Sequence, residues 1–252
     1  MTILEAFKGL VTAFRTLTVL SVPGKDALRF STALYWFPLV GLLLGVLQAF
    51  TACAAASTGW HELAGFVAVL AGVLLTRGLH ADGLADLADG FWGGKNREAV
   101  LRIMKDPNVG SFGALSLVLI FLLKWIAAVK LVDLHAYGAL ASGVLLARWV
   151  QVLLASTMPY ARTEGGTAQA FVIGAGSSHL VLTTLFSTSL LLLLLQADLL
   201  LAGIALASAL MSALATGLIA RRKAGGVTGD VLGAVSELTE TAVWVGCCLI
   251  SM

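Results

Sequence analysis

Long apolar runs separated by short polar breaks set the pattern of this chain. Stretches able to span the roughly 30 Å hydrocarbon core of a bilayer lie at about 34–57, 62–78, 110–132, 137–157, 179–197, 199–220 and 231–251. The second is short and can continue as helix into the polar segment that follows. The fifth and sixth are separated only by Gln196, Ala197 and Asp198, which predicts a tight helical hairpin. SLLLLLLQ, inside the fifth, reads as lipid-facing material. Ahead of these runs, Ile3, Phe7, Leu10, Phe14 and Leu17 recur at helical spacing among Glu5, Lys8 and Arg15. That is the pattern of an amphipathic helix lying in the membrane interface; a first helix packed on the rest of the protein is the alternative. The same charges, with no small-residue cleavage site after them, argue against a signal peptide. The predicted fold is all-α: a polytopic membrane bundle of about seven transmembrane helices plus an N-terminal interfacial helix. No repeat or linker divides it, so residues 1–252 are expected to form a single integral membrane domain.

Composition agrees with the pattern. Of 252 residues, 59% are hydrophobic and 12% charged, and mean hydropathy is +0.95; a soluble domain carries about twice that charged share. A net charge of +2, dispersed along the chain, excludes nucleic-acid binding. Cys53, Cys247 and Cys248 sit in apolar runs without CxxC spacing, so they read as buried hydrophobes and not as a disulfide or zinc framework. Threading the spans places the N-terminal segment and the loops near 79–109, 158–178 and 221–230 on one face, with nearly all the lysines and arginines. The turns around Trp60–Glu62, Asp133–His135 and Asp198 hold none. By the positive-inside rule the first face is expected to be cytoplasmic. Nearly every polar motif shares it, which favours a catalytic or binding surface over a path through the bilayer.

The densest motif there is HADGLADLADGFWGG, residues 80–94. Asp82, Asp86 and Asp89 fall within roughly 60° of one another on an α-helix. Like charges so stacked repel unless a cation joins them, and hard divalent ions favour clustered carboxylate oxygens. A second acidic group follows in RRKAGGVTGDVLGAVSELTE. Asp230 either caps the last helix or belongs to the site. Glu237 and Glu240 lie one turn apart inside a span, where a carboxylate costs several kcal/mol and needs a polar partner, water or a metal contact. Arg97, Arg102, Lys105 and Asp106 precede a Pro/Gly turn. Arg221, Arg222 and Lys223 precede glycines Gly225 and Gly226 and Thr228, a context in which guanidinium forks and backbone N–H groups suit phosphate. Arg148, within the fourth span, pairs with an acidic residue or reaches toward substrate. Lys130 can snorkel, whereas Lys124 does so less comfortably. His80 lies on another side of the helix and is not counted as a ligand. Metal-holding carboxylates and phosphate-holding cations at a membrane surface together describe phosphoryl transfer.

HADGLADLADG, IMKDPNVGSFGA and RKAGGVTGDVLGAVSELTE, with WFPLVGLLLG at 36–45, resemble in order and spacing the signatures of the cobalamin synthase family, the adenosylcobinamide-GDP ribazoletransferases. The resemblance runs along essentially the whole chain. It implies a Mg²⁺-dependent enzyme of the bacterial cytoplasmic (inner) membrane, its site facing the cytoplasm. Adenosylcobinamide-GDP and α-ribazole (or its 5′-phosphate) would be the substrates, GMP the leaving group, and the lipid bilayer the surroundings; oligomeric state stays open, a homo-oligomer included. By position, Asp82, Asp86 and Asp89 would be the metal ligands. Lys105, Asp106 and the Gly225–Asp230 turn would bear on the diphosphate or the second acidic site. A general base would come from Asp86, Asp89 or Glu237, and Arg97, Arg102, Arg148, Arg222, Lys223 and Glu240 would contribute to substrate binding. Ala81 and Leu87 are small departures from the pattern. A CDP-alcohol phosphotransferase is the nearest competitor: DLADG at 86–90 matches the opening of its signature, but Gly93 and Gly94 stand where Ala-Arg is required. A transporter using Arg148, Glu237 and Glu240 as relay groups would spread its polar residues through the membrane depth.

Overall fold

The computed structural model describes residues 2–250, and among them the regular structure is helical. Helix α1 (Ile3–Leu17) is capped by Thr2, whose hydroxyl accepts from Glu5 N at 3.3 Å. Its Ile3, Leu4 and Phe7 are exposed while Val11, Ala13 and Leu17 are buried, so it is amphipathic and packed on the protein at once. A 3₁₀ segment (Phe30–Trp36) runs into α2 (Phe37–Ala56), which starts on Pro38, where a missing N–H costs nothing. Then follow α3 (His61–Thr76), α4 (Leu79–Gly93), α5 (Arg97–Ile103), α6 (Ser111–Asp133), α7 (Tyr137–Thr157), α8 (Gln169–Ile173), α9 (Ser177–Leu194), α10 (Leu199–Lys223) and α11 (Gly229–Ile250). Six of the described helices are long and apolar enough to cross a bilayer, and α3 and α4 pass the same test only as a pair bent by 90°.

Where the second apolar run could have continued straight, the chain breaks. Arg77 and Gly78 both adopt left-handed backbone, φ 55° and 67°, closing α3 with a C-terminal turn. The axis of α4 leaves that of α3 at 90°, so α4 lies across the end of the bundle. The expected hairpin is present: Gln196 and Ala197 take φ of 53° and 60°, and Asp198 caps α10 through Leu201 N at 2.9 Å.

Helix α7 is the axis of the molecule, buried along nearly its whole length. Lipid tails are as apolar as leucine, so helices here associate by close packing of small residues. A Cβ at Gly41 of α2 would meet Val144 O of α7 at 2.8 Å, and one at Gly45 would meet Ala141 O at 2.6 Å. The α4–α11 crossing uses the same device: a Cβ at Gly83 would lie 2.9 Å from Asp230 O and 3.3 Å from the Gly233 Cα. That crossing positions the site.

Candidate active site

Gly83 and Gly233 let two helix backbones touch, and the carboxylates beside them share one space. Asp82 is exposed and lines a cleft of about 490 Å³ with Arg77, Gly78 and Val109. Asp86 is half-buried, and its carboxyl is pushed up to about 7, first by burial and then by the negative charges of Asp230 and Asp82. Asp230, from the other helix, faces this pair. It does not cap α11: Thr228 does so, accepting from Val231 N at 3.2 Å, and the Thr228 hydroxyl also lies 3.2 Å from Asp230 Oδ2. Asp230 instead receives Arg162 Nη2 at 2.7 Å.

Helical spacing groups Asp89 with Asp82 and Asp86, but the fold gives it another task. Its two oxygens accept from Gly110 N at 2.7 Å and Gly113 N at 2.8 Å. Helix α6 begins at Gly110, which has no side chain to cap it. Asp89 supplies that cap from a different helix, satisfying N–H groups that would otherwise be orphaned. The structure brings Asp82, Asp86 and Asp230 together, and the negative charge of Asp89 also reaches Asp86.

The cations form a layer beside them. A cleft of about 490 Å³ is lined by Arg97, Arg102, Lys105 and Arg162 with Glu98 and Glu164. Arg97 spends its guanidinium on carbonyls, donating to Ala224 O at 2.8 Å and Ala161 O at 2.6 Å. It thus ties the loop after α7 to the glycine turn, where Tyr160 and Val227 form a parallel bridge. Gly225 sits at φ +82° and leaves room for Arg97, whose Nε a Cβ would meet at 2.9 Å. Lys223 donates to Phe91 O, joining α10 to α4, and Arg222 is exposed. Lys105 pairs with Glu164 at 2.7 Å on the surface, which holds the Glu164 carboxyl below its usual range. Asp106 accepts from Asn108 N and Nδ2, at 3.0 and 2.7 Å, and so shapes the turn before α6.

Glu237, Glu240 and Arg148 lie deeper, away from both layers. Lys124 Nζ donates to Glu237 Oε2 and Glu240 Oε1, each at 2.8 Å, with side chains 5%, 9% and 4% exposed. Arg148 donates to Ser236 Oγ and approaches His80 Nδ1 at 3.3 Å. The partner required by two glutamates in a span is thus a lysine, and Arg148 is held among Ser236 and His80. Sequence reading missed two residues. Arg162 registered only as part of the basic face, its signal being a lone arginine where a span meets the polar loop. Lys124 registered only as an awkward snorkeller, although its discomfort was the clue.

The donor set at Asp82, Asp86 and Asp230 is three hard oxygen ligands with one nearby cation. The excess negative charge that raises Asp86 is what a divalent ion would relieve. Among the described residues no three His, Cys, Asp or Glu side chains meet at metal-holding distance. Mg²⁺ typically takes one or two carboxylates and completes its shell with phosphates and water, so these residues fit it as an open site.

The sequence profile of the cobalamin-5-phosphate synthase family matches residues 9–248. Proteins named adenosylcobinamide-GDP ribazoletransferase from Pelodictyon phaeoclathratiforme and Chlorobium phaeobacteroides are 61% and 60% identical, over 96% and 94% of this chain and 96% of each relative. One from Syntrophobacter fumaroxidans is 38% identical over 95% of this chain and 92% of its own length. No solved structure matches the chain. With a helical membrane bundle matched over nearly its whole length, the chain belongs to the cobalamin-5-phosphate synthase family and is a transferase of cobalamin biosynthesis.

Proposed function

We propose that this chain joins adenosylcobinamide-GDP to α-ribazole, or to its 5′-phosphate, in a Mg²⁺-dependent reaction on the cytoplasmic side of the bacterial inner membrane. The observation that carries the reading is the Arg162–Asp230 pair, which links the carboxylate space to the cationic cleft at one end of the bundle. A ribose hydroxyl attacks the phosphorus attached to cobinamide. A new P–O bond forms, the anhydride P–O bond breaks, and GMP leaves with the electron pair. Arg162, Arg102 and Lys105 hold diphosphate oxygens, with Arg162 placed to neutralise charge as it develops. Asp82, Asp86 and Asp230 would hold the ion, which supplies charge neutralisation on the phosphates. Among the candidate bases, Asp89 is committed to α6 and Glu237 to Lys124. Asp86 remains the candidate base, half-buried beside Asp82 and Asp230.

The orientation is supported by the lysines and arginines that crowd the site's end of the bundle. Purified membranes incubated with adenosylcobinamide-GDP and α-ribazole, with and without Mg²⁺, test the reading. GMP released only when both substrates and Mg²⁺ are present supports it; release of CMP from a CDP-alcohol would replace it.

A further inference from the structure

A second cleft, of about 1010 Å³, is roomier than the cationic one. It opens between the 3₁₀ segment, α8 and the first turn of α9, and its polar lining includes Arg29, Ser31, Tyr35, Gln169, Ser178 and His179. Its formal charge is close to balanced, because Glu5 and Arg29 both line it. His179 is 7% exposed and its ring lies against the backbone of Ser31 and Gly176. Its Nδ1 nevertheless has no hydrogen-bond partner among the described residues. A buried ring nitrogen without a partner in the wall of a cleft has hydrogen-bonding capacity to spare, which a ligand entering there can use by a small shift of the ring. Tyr35 stacks on His179 with centroids 4.2 Å apart and planes at 21°, and its hydroxyl is held 3.0 Å from Ser178 Oγ. This is a fixed aromatic platform beside hydroxyls.

The cleft also adjoins the carboxylates. A Cβ on Gly229, the neighbour of Asp230, would touch Thr167 Oγ1 at 3.5 Å and Ala168 Cβ at 3.7 Å, and the next residue, Gln169, lines the cleft. The cationic cleft reaches the acidic space through Arg162, and the aromatic cleft reaches it through the segment Thr167–Gln169. A diphosphate belongs in the first. An uncharged ligand with a flat ring, hydroxyls and a hydrogen-bonding nitrogen belongs in the second.

We infer that the Tyr35–His179 cleft binds the acceptor substrate, a ribonucleoside whose nitrogen heterocycle meets the aromatic pair and whose ring polar atoms engage His179 Nδ1. The inference rests on the reaction proposed above; the residues named are binding residues for one of its two substrates. Tyr35→Ala and His179→Phe should raise KM for α-ribazole roughly tenfold or more. KM for adenosylcobinamide-GDP and kcat at saturating acceptor should stay within about twofold of the parent. Tyr35→Phe keeps the ring and should restore most of the acceptor affinity, which a folding defect in Tyr35→Ala would not explain. Equilibrium dialysis of α-ribazole against the full chain in lipid nanodiscs separates the two readings. Binding that Tyr35→Ala and His179→Phe abolish, in a protein that releases no GMP, would remove the reaction and leave the cleft assignment standing. Normal turnover with α-ribazole affinity unchanged in both variants would overturn the cleft assignment alone. So would a rise confined to KM for the GDP-bearing donor, or a defect repaired by changing only the lipid.

Discussion

Two ionic groups in this bundle use similar side chains to opposite ends. Lys124, Glu237, Glu240 and Arg148 sit at membrane depth, two positive and two negative, each at most 9% exposed as a residue. Asp82, Asp86 and Asp230 at the end of the bundle have Arg162 for company, share a surplus of negative charge, and remain open to water on the Asp82 side. A buried charge survives only when it is matched nearby. An imbalance is affordable only at the edge, where water or an incoming cation can answer it. The deep group therefore holds helices together, and the shallow one is the group to which the proposed reaction assigns the chemistry.

The contrast sets an order of experiments. Asp86→Asn should have the largest effect on activity, a loss of about 10²–10⁴ in kcat under the general-base role, read as GMP release. The same substitution should raise the melting temperature of the Mg²⁺-free protein in detergent by roughly 2–4 °C at neutral pH. The sign follows from linkage: a carboxyl raised to about 7 in the folded chain favours folding below its ordinary range near 4 and loses that contribution as pH climbs toward 7. A melting temperature that falls on removing Asp86 would sink the idea of an uncompensated surface charge. Lys124→Met leaves two glutamates unpaired in the interior and should cost about 3–5 kcal/mol, measured by thermal unfolding. The triple change Lys124→Met, Glu237→Gln, Glu240→Gln should recover part of that loss. Arg162→Lys keeps the charge but loses the planar fork, and should lower kcat/KM for the donor about tenfold with little change in melting temperature. Asp89→Ala should behave as a lost helix cap, about 1–2 kcal/mol, with hydrogen exchange rising first at Gly110 and Gly113. A collapse of Mg²⁺ affinity with unchanged exchange there would return Asp89 to the metal.

Much of the fold was legible, because a bilayer imposes length and hydropathy on anything that crosses it. The run read at 137–157 is helix α7 to the residue. What hydropathy could not reveal is that α7 avoids lipid altogether, since interior and lipid-facing surfaces are equally apolar; its glycines, alanines and serines were the only trace. The break at Arg77–Gly78 escaped for another reason: an arginine in left-handed backbone has no strong sequence signal. At the site, Asp82 and Asp86 follow from helical spacing alone. Asp89 satisfies the same spacing, yet its hydrogen-bond partners begin a helix more than twenty residues later, a task that spacing does not reveal. Asp230 joins the cluster through the Gly83–Gly233 contact, a tertiary fact that no local pattern contains.

The right-angle bend after α3 has a consequence for the surrounding lipid. Sixteen residues of helix measure about 24 Å, several ångströms short of an ordinary hydrocarbon layer. A span that short is expected to thin the bilayer beside α3 and so to bring headgroups and hydration toward the aspartates that follow it. If access runs through such a dimple, turnover should depend on acyl-chain length in reconstituted bilayers.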